Sequence, residues 1–438
     1  MQTFHPLREI RPQSGYAADD VLVVFGEVFA RGYVNGLIDA ARAAGMKVIF
    51  STVGRRDEHL SLRSLNDAEL KEKEQPLIPI PLECGFDLEP SRQGLTPVDQ
   101  VKGLKLSEWD QAKMDWDQVE ESRRKGREGF RTRVREYLAE LEKQIPAGAN
   151  ILFAHTMAGG VPRAKIVLPV MNRVFKGHGD RYACSREFWE GTLGRFCDMS
   201  FMDVTANSLA DLIELSAPLR ERAQRANARV SYVAYGYHGT EILMGNEYRW
   251  QSYSPYLQGF AKLELERIAH RHRDQGVDVS VYNAPEILTN SSSIFLGVEV
   301  ALYPLMGAFK KEGSHHPLTR EILASCQNLL KPGHSVEEIL SLTDRYFRSE
   351  IIQERWSDYG AWPQHNGPEQ MELMRTTSDT ILKMHQDERQ LLTARLSEVV
   401  FRACGKAMLH EAKEPRAAVW WIGHDLVAKA ALAAGEAG

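Results

Sequence analysis

Two residue types that nicotinamide-dependent reductases use together, tyrosine and lysine, crowd one stretch of the chain, Ser231–Lys262 (SYVAYGYHGTEILMGNEYRWQSYSPYLQGFAK). The run Val230 to Tyr235 is β-rich, a polar loop laden with tyrosines follows, and LQGFAKLELERIAHRH has helical spacing. Lys262 falls on the first turns of that helix, and eight residues separate it from Tyr253. Tyr235 and Tyr237 stand at the end of the preceding strand. A phenol is a fair proton donor or oxyanion stabiliser when a nearby ammonium orients it or lowers its pKa. Taken singly, each tyrosine reads more readily as a packing residue than as a catalyst. Lys262 reads equally as a solvated charge on a helix that buries Leu263, Leu265 and Ile268.

The elements that would position these residues begin with Val21–Phe25 (VLVVF), a continuous apolar run suited to a parallel strand covered on both faces. It leads into GEVFARGYVNGLIDAARAAG, where Gly26, Gly32 and Gly36 punctuate a turn and an alanine-rich helix follows. Lys47–Val53 (KVIFSTV) is a second buried strand. Strand, glycine turn, helix and strand form a βαβ unit of the nucleotide-binding kind. Glycines at such a turn let backbone N–H groups approach a pyrophosphate, and they serve equally often as plain tight-turn residues. The second strand closes on Gly54-Arg55-Arg56, where arginine favours the 2′-phosphate of NADPH. Two solvated loop arginines ahead of Asp57 are the alternative.

Further on, Asn150–His155 (NILFAH) is a third strand, and Thr156 and Ala158 after it fall at the carboxyl edge where such sheets bind ligands. Helical segments cover roughly 185–227, Val277–Tyr282 (VDVSVY) is another strand, and the apolar stretch Ile294–Phe309 follows. That stretch is either a wall for a long acyl chain or an ordinary core helix. Residues 58–105 are proline-rich and without a clean period. Residues 107–144 carry interleaved acids and bases at helical spacing, the pattern of a solvated helix face. From about 317 to the end the pattern is helical, with no strands.

Composition narrows the function classes. At 438 residues, 43% apolar and 26% charged, the chain is an ordinary globular protein long enough for one large domain or two. A net charge of −5 without a basic tail gives no case for nucleic acid or an anionic membrane. No apolar run spans a bilayer, and the N-terminus lacks an apolar core, so neither membrane insertion nor a signal peptide is expected. Five scattered cysteines without CxxC spacing read as reduced thiols of a cytoplasmic protein. His315-His316 lacks an acidic partner at metal-ligand spacing, and Ser291-Ser292-Ser293 has no nearby His–Asp pattern, so neither a metal site nor a hydrolase is expected.

The tyrosine–lysine stretch resembles the FabV-type trans-2-enoyl-ACP (or CoA) reductases, divergent members of the short-chain dehydrogenase superfamily with a Tyr-x8-Lys signature. Tyr253, Gly259, Ala261 and Lys262 fall on that family's pattern, and Tyr235-Gly236-Tyr237-His238-Gly239 resembles its upstream Tyr-x-Tyr-x-Gly. VDVSVYNAPEILTNSSSIFLGVEVALYPLM is similar to its strand, cofactor loop and substrate helix, with Thr289, Ser291 and Ser292 in the loop. Trp362-Pro363-Gln364 echoes its C-terminal WPQ. The chain also resembles the FabMG group of enoyl-ACP reductases. The glycine turn departs from the FabV-type GASxGxG, and the spacing from Tyr237 to Tyr253 is longer than in that family.

The resemblance implies catalysis by Tyr253, Tyr237 and Lys262, with Lys262 also holding the nicotinamide ribose. Gly26, Gly32, Gly36, Arg55, Arg56, Thr156, Ala158 and Thr289 complete the expected binding set for NADPH or NADH. The expected fold is α/β, a Rossmann-like doubly wound parallel sheet with extra helices and a helical C-terminal part. Residues 1–316 would form the reductase core, with the charged helical region near 58–145 inserted, and 317–438 a helical region packed on it. The expected reaction is NAD(P)H-dependent reduction of a trans-2-enoyl thioester on ACP or CoA, of fatty-acid or polyketide type. A short-chain dehydrogenase acting on a ketone or alcohol, and a non-catalytic cofactor-binding protein, are the alternatives. A homo-oligomer is compatible with the sequence.

Overall fold

The computed structural model describes residues 5–183, 186–251, 257–290, 292, 295–356 and 367–435. Its centre is an eight-stranded sheet whose pairings are all parallel. In chain order the strands are β1 (Pro6–Leu7), β2 (Val21–Phe25), β3 (Lys47–Thr52), the short pair β4 (Arg55–Arg56) and β5 (Leu62–Arg63), β6 (Leu77–Pro81), β7 (Ile151–His155), β8 (Val230–Gly236), β9 (Thr240–Met244), β10 (Glu247–Gln251), β11 (Asp278–Asn283) and β12 (Val419–Ile422). The main sheet has the order β1-β12-β11-β8-β7-β2-β3-β6, while β4–β5 and β9–β10 are separate antiparallel hairpins.

The sheet is covered on both faces, and the period of two along each strand decides which side chain meets which layer. Leu22 and Val24 of β2, Leu152 and Ala154 of β7, and Val233 and Tyr235 of β8 join one core with the helices Val34–Ala43, Pro304–Gly313 and Thr393–Ala412. Val21, Val23 and Phe25, with Ile151, Phe153, Tyr232 and Ala234, join the opposite core. There they meet the helices Trp116–Glu142, Ser208–Leu215 and Leu257–Asp274. Each fully buried Val, Leu or Phe contributes about 1.5–3 kcal/mol, so this alternation ties the register of every central strand to the stability of two layers at once.

The expected Rossmann-like class holds, with four local differences. The proline-rich stretch supplies β6, an edge strand beside β3, where prolines are tolerated because they need not donate on the open side. The tyrosine-rich loop is folded as the β9–β10 hairpin around Gly245, and buried Glu241 within it is paired with Arg8 at 2.5 Å. Val419–Ile422, in a stretch read as wholly helical, is the strand between β1 and β11, so the C-terminal region completes the same sheet. A four-residue strand buried on both faces has no alternation to reveal it.

The charged helix Trp116–Glu142 is only partly a solvated face. Arg123 holds buried Asp203 at 2.7 Å, and Arg127 and Arg131 converge on buried Asp211, Arg127 at 3.0 Å. These pairs clamp the helix to the segment that runs from Thr192 to Leu215 through a π-helical turn at Met202–Asn207.

Gly36 belongs to helix packing. A Cβ there would lie 1.8 Å from the Phe401 carbonyl, and one on Gly405 would lie 2.0 Å from the Gly36 backbone. The two glycines let the helices Val34–Ala43 and Thr393–Ala412 touch backbone to backbone. Gly36→Ala should therefore lower the urea midpoint by the equivalent of about 1–3 kcal/mol, the range for overpacking a tight interior. Dinucleotide affinity of the folded fraction should be unchanged in a fluorescence titration, whereas a tenfold loss there would restore Gly36 to the binding site.

Candidate active site at the carboxyl edge of the sheet

The strand order reverses between β2 and β7, and the crevice beyond the carboxyl ends of strands at such a switch point is where open α/β sheets take their ligands. A cleft of about 240 Å³, open to solvent, lies there. Its walls come from the segments that follow β2, β7, β8 and β11, joined by Lys262.

On the β2 side, Gly26 has φ +126° and a Cβ on it would sit 2.4 Å from Thr156 Oγ1, so only glycine lets the ends of β2 and β7 approach this closely. Thr156 donates its N–H (2.9 Å) and its hydroxyl (3.1 Å) to the Phe25 carbonyl, which fixes that junction. The loop then reaches the start of the helix Val34–Ala43, where Gly32, Tyr33 and Val34 line the cleft. Its N-cap residue, Tyr33, makes no side-chain capping hydrogen bond, and its first turn contains no acid. An uncapped helix start facing a cleft suits a pyrophosphate.

On the β7 side, Gly160 has φ +101°, and a Cβ there would come within 2.8 Å of the Ser200 carbonyl. Thr205, on the π-helical turn, donates its hydroxyl to the Gly159 carbonyl at 3.1 Å. His155 shares a 2.8 Å hydrogen bond with Ser208. Burial, and secondarily the charge of Lys262, pushes the His155 imidazole down to about 3, so it is neutral at physiological pH. The irregular turn thus supports the floor beside Ala158, a use of π-helical geometry common at functional sites.

Lys262 reaches the cleft from within the helix Leu257–Asp274. Ala261, Leu265, Ile268 and Ala269 form the buried stripe of Leu257–Asp274, while Leu263 is only half-buried. Lys262 and Glu266 lie one turn apart, both buried. The Lys262 Nζ donates to the Tyr235 carbonyl at 2.6 Å, and burial lowers its pKa from the ordinary 10.5 to about 7. Glu266 accepts from the Asn283 amide at 2.7 Å and faces His238 Nδ1 at 3.3 Å; Asn283 in turn accepts from the His238 backbone at 2.9 Å. This network ties the ends of β8 and β11 to the lysine helix.

Tyr237 emerges just beyond β8, and its hydroxyl donates to the buried Glu286 carboxylate. Tyr33 stacks on Tyr235 with ring centroids 5.8 Å apart and donates to the Pro285 carbonyl at 2.6 Å. Thr289 is set by Ser292, whose Oγ accepts from its N–H at 2.7 Å. Phe201, Val161 and Phe295 give the cleft an apolar wall. In the stretch 294–309 the buried aliphatic and aromatic side chains from Val300 to Phe309 join the main core, and Phe295 is the one that lines the cleft.

The structure thus brings Gly32, Thr156, Ala158, Tyr237, Lys262 and Thr289 around one cleft. Gly26 sits behind it as a strand junction and Gly36 in helix packing. Arg55 is held by Glu27 at 2.8 Å, and Glu27 also takes Lys73 at 2.6 Å; Arg56 turns to Glu83 and Glu89. The two arginines therefore answer carboxylates, and Glu27, which no sequence pattern singled out, is the member of that cluster on the cleft wall. Glu286 was likewise unmarked; its only signal is its place just after a strand ending at the carboxyl edge. Tyr253, Ser291 and the Trp362-Pro363-Gln364 motif lie outside the described residues. No metal-binding cluster occurs among the described residues, and no helix among them is long and apolar enough to cross a membrane.

A doubly wound sheet with an uncapped helix start, a buried lysine and a tyrosine hydroxyl at its switch point defines an α/β dinucleotide-dependent oxidoreductase. The chain belongs to the FabMG family of enoyl-acyl carrier protein reductases, whose family model matches residues 3–431. It is similar to the apo structure of a FabMG enoyl-acyl carrier protein reductase, with 42% identity over 100% of both chains and a TM-score of 0.95. It is also similar to an NADH-bound FabMG structure, with 37% identity over 98% of both chains and a TM-score of 0.77. Comparison with curated proteins gave no match.

The lysine has a thermodynamic signature. Its pKa is lowered from 10.5 to about 7 by burial, so between these values the unfolded chain binds the extra proton. Stability should rise with pH across that window and lose its contribution as pH falls through about 7. Lys262→Met should flatten this rise in urea melts taken at pH 7 and pH 9, relative to the parent protein.

Proposed function

We propose that the chain reduces the 2,3-double bond of a trans-2-enoyl thioester on acyl carrier protein, with NADH as reductant. The observation that carries the reading is the meeting of Tyr237 and Lys262 in one cleft at the switch point, beside an uncapped helix start. NADH supplies a hydride to the β-carbon of the substrate. The negative charge that then develops at the thioester carbonyl calls for a hydrogen-bond donor, and Tyr237 presents one. Tyr253, outside the described residues, is assigned the role of a second hydroxyl donor on its eight-residue spacing from Lys262 alone. Lys262, anchored to the Tyr235 carbonyl, would hold the ribose of the nicotinamide with its remaining ammonium hydrogens. Gly32 to Val34 would hold the pyrophosphate, and Thr156, Ala158 and Thr289 would bind the nicotinamide half.

NADH rather than NADPH is favoured by the state of Arg55. Its guanidinium is engaged by the Glu27 carboxylate in a bidentate pair, so it is committed before any 2′-phosphate could claim it. The NADH-bound relative agrees with this choice. The apolar wall of Phe201, Val161 and Phe295 suits the acyl chain. In the cell we place the enzyme in the cytoplasm, where acyl carrier protein chemistry and the four buried free thiols among the described residues are both at home.

One oxyanion donor contributes about 3 kcal/mol to barrier lowering. Tyr237→Phe and Tyr253→Phe should therefore each slow crotonyl-thioester reduction on the order of a hundredfold, while NADH binding by fluorescence stays within twofold. Lys262→Ala should instead weaken NADH binding. Full activity in Tyr237→Phe would remove Tyr237 from the reaction and pass the donor role to Tyr253.

A further inference from the structure

Glu286 is a buried carboxyl on the wall of the cleft, received by no arginine or lysine among the described residues. That is an unusual situation, since a buried carboxylate is normally paired with a cation or held by several N–H donors. Its side-chain contact is the Tyr237 hydroxyl, and the Ile287 N–H is the backbone group that faces it. It lies just past the end of β11, one strand over from the β8 end that carries Tyr237, so the sheet itself sets their meeting. The other titratable or charged groups on the cleft walls are Tyr33, Tyr235 and Lys262, with Glu27 and Arg31 on the β2 side. Tyr33 is committed to the Pro285 carbonyl, Lys262 to the Tyr235 carbonyl and Glu27 to Arg55 and Lys73.

We infer that Glu286 is a positioning and proton-relay residue that orients the Tyr237 hydroxyl and returns its proton after each turnover. This rests on the reading of Tyr237 as a proton donor. In the step proposed, the hydride forms the new C–H bond at the β-carbon, and the π electrons move to the thioester oxygen. The Tyr237 O–H bond then breaks as its proton goes to the enolate, completing the saturated thioester. The tyrosinate takes a proton from the Glu286 carboxyl, and the carboxylate regains one from water in the open cleft. The sum is one enoyl thioester, one NADH and one proton consumed, with one acyl thioester and NAD⁺ released.

The chemistry of the position agrees. Burial pushes the Glu286 carboxyl up to about 7, against the lowering effect of the Tyr237 hydroxyl and the Ile287 N–H. Near neutrality it therefore exists in both forms, as a group that must alternately give and take a proton requires. The protonated form recharges Tyr237, so turnover falls as pH rises through about 7.

The test compares the full-length parent, Glu286→Gln and Glu286→Asp with crotonyl-CoA as probe. Glu286→Gln should lower kcat at least tenfold and lose the fall in kcat above pH about 7, with the Kd for NADH within twofold of the parent. Glu286→Asp should recover part of kcat together with the pH-dependent fall. In the cofactor-free parent, a carboxylic-acid infrared band should titrate away near neutral pH and be absent from Glu286→Gln. A Glu286→Gln enzyme with parental kcat and an unchanged pH profile would overturn the relay. A variant whose only defect is weaker NADH binding would overturn it too, making Glu286 a cofactor ligand. If Tyr237→Phe is fully active, the reading beneath the relay fails; if Tyr237→Phe is crippled and Glu286→Gln is not, the relay alone fails.

Discussion

The ammonium of Lys262, taken out of water and set against the Tyr235 carbonyl, is the constraint on which the rest of the site depends. A single hydrogen bond does not offset the desolvation of a charge, and the displaced pKa records the deficit. The surroundings must therefore fix the helix Leu257–Asp274 rigidly enough to keep the lysine in place. Glu266, one turn along, does this by engaging Asn283 and facing His238. The cost of that bracing reappears in the backbone: a Cβ on Gly236 would lie 2.2 Å from Asn283 Oδ1, so the last residue of β8 must be glycine. Only then does the next residue, Tyr237, enter the cleft beside the lysine.

A second set of charges works at a distance. Arg123, Arg127 and Arg131, spaced four apart on one face of a long helix, secure Asp203 and Asp211 on the segment that contains the π-helical turn. That turn contributes Thr205 to the Gly159 carbonyl and precedes Ser208, the partner of His155. Because the acids are buried and the arginines only partly so, these pairs are worth more than exposed ones. They transmit the position of an outer helix to the cleft floor.

The parallel strands were legible because strands covered on both faces read as continuous apolar runs, and VLVVF, NILFAH and VDVSVY are such runs. Tyr237 and Lys262 were marked by residue type and by the short motifs around them, while the chain between them is folded as the β9–β10 hairpin, which those motifs do not show. Three things escaped. The strand Val419–Ile422 is too short to show a period and sits among helices. The arginines after β3 looked like phosphate ligands because type and place were right, but the acid that claims Arg55, Glu27, follows a different strand. Glu286 was silent because its significance lies in burial and in a neighbour 49 residues away in the chain. Sequence displays residue types and local spacing; pairings between separate crossover units become visible only when the sheet closes.

The way that sheet closes has a consequence for biosynthesis. β12 lies between β1 and β11, so the first and last of these strands in chain order are neighbours, and β1 has its partner only after β12 has been made. Until then β11, the strand that leads to Glu286 and Thr289, is an open sheet edge of six residues rich in β-formers. Unpaired edges of this kind template association between chains. The nascent chain carries its catalytic edge unfinished from the synthesis of β11 until that of β12. That interval, more than the folded state, is where the chain is exposed to aggregation.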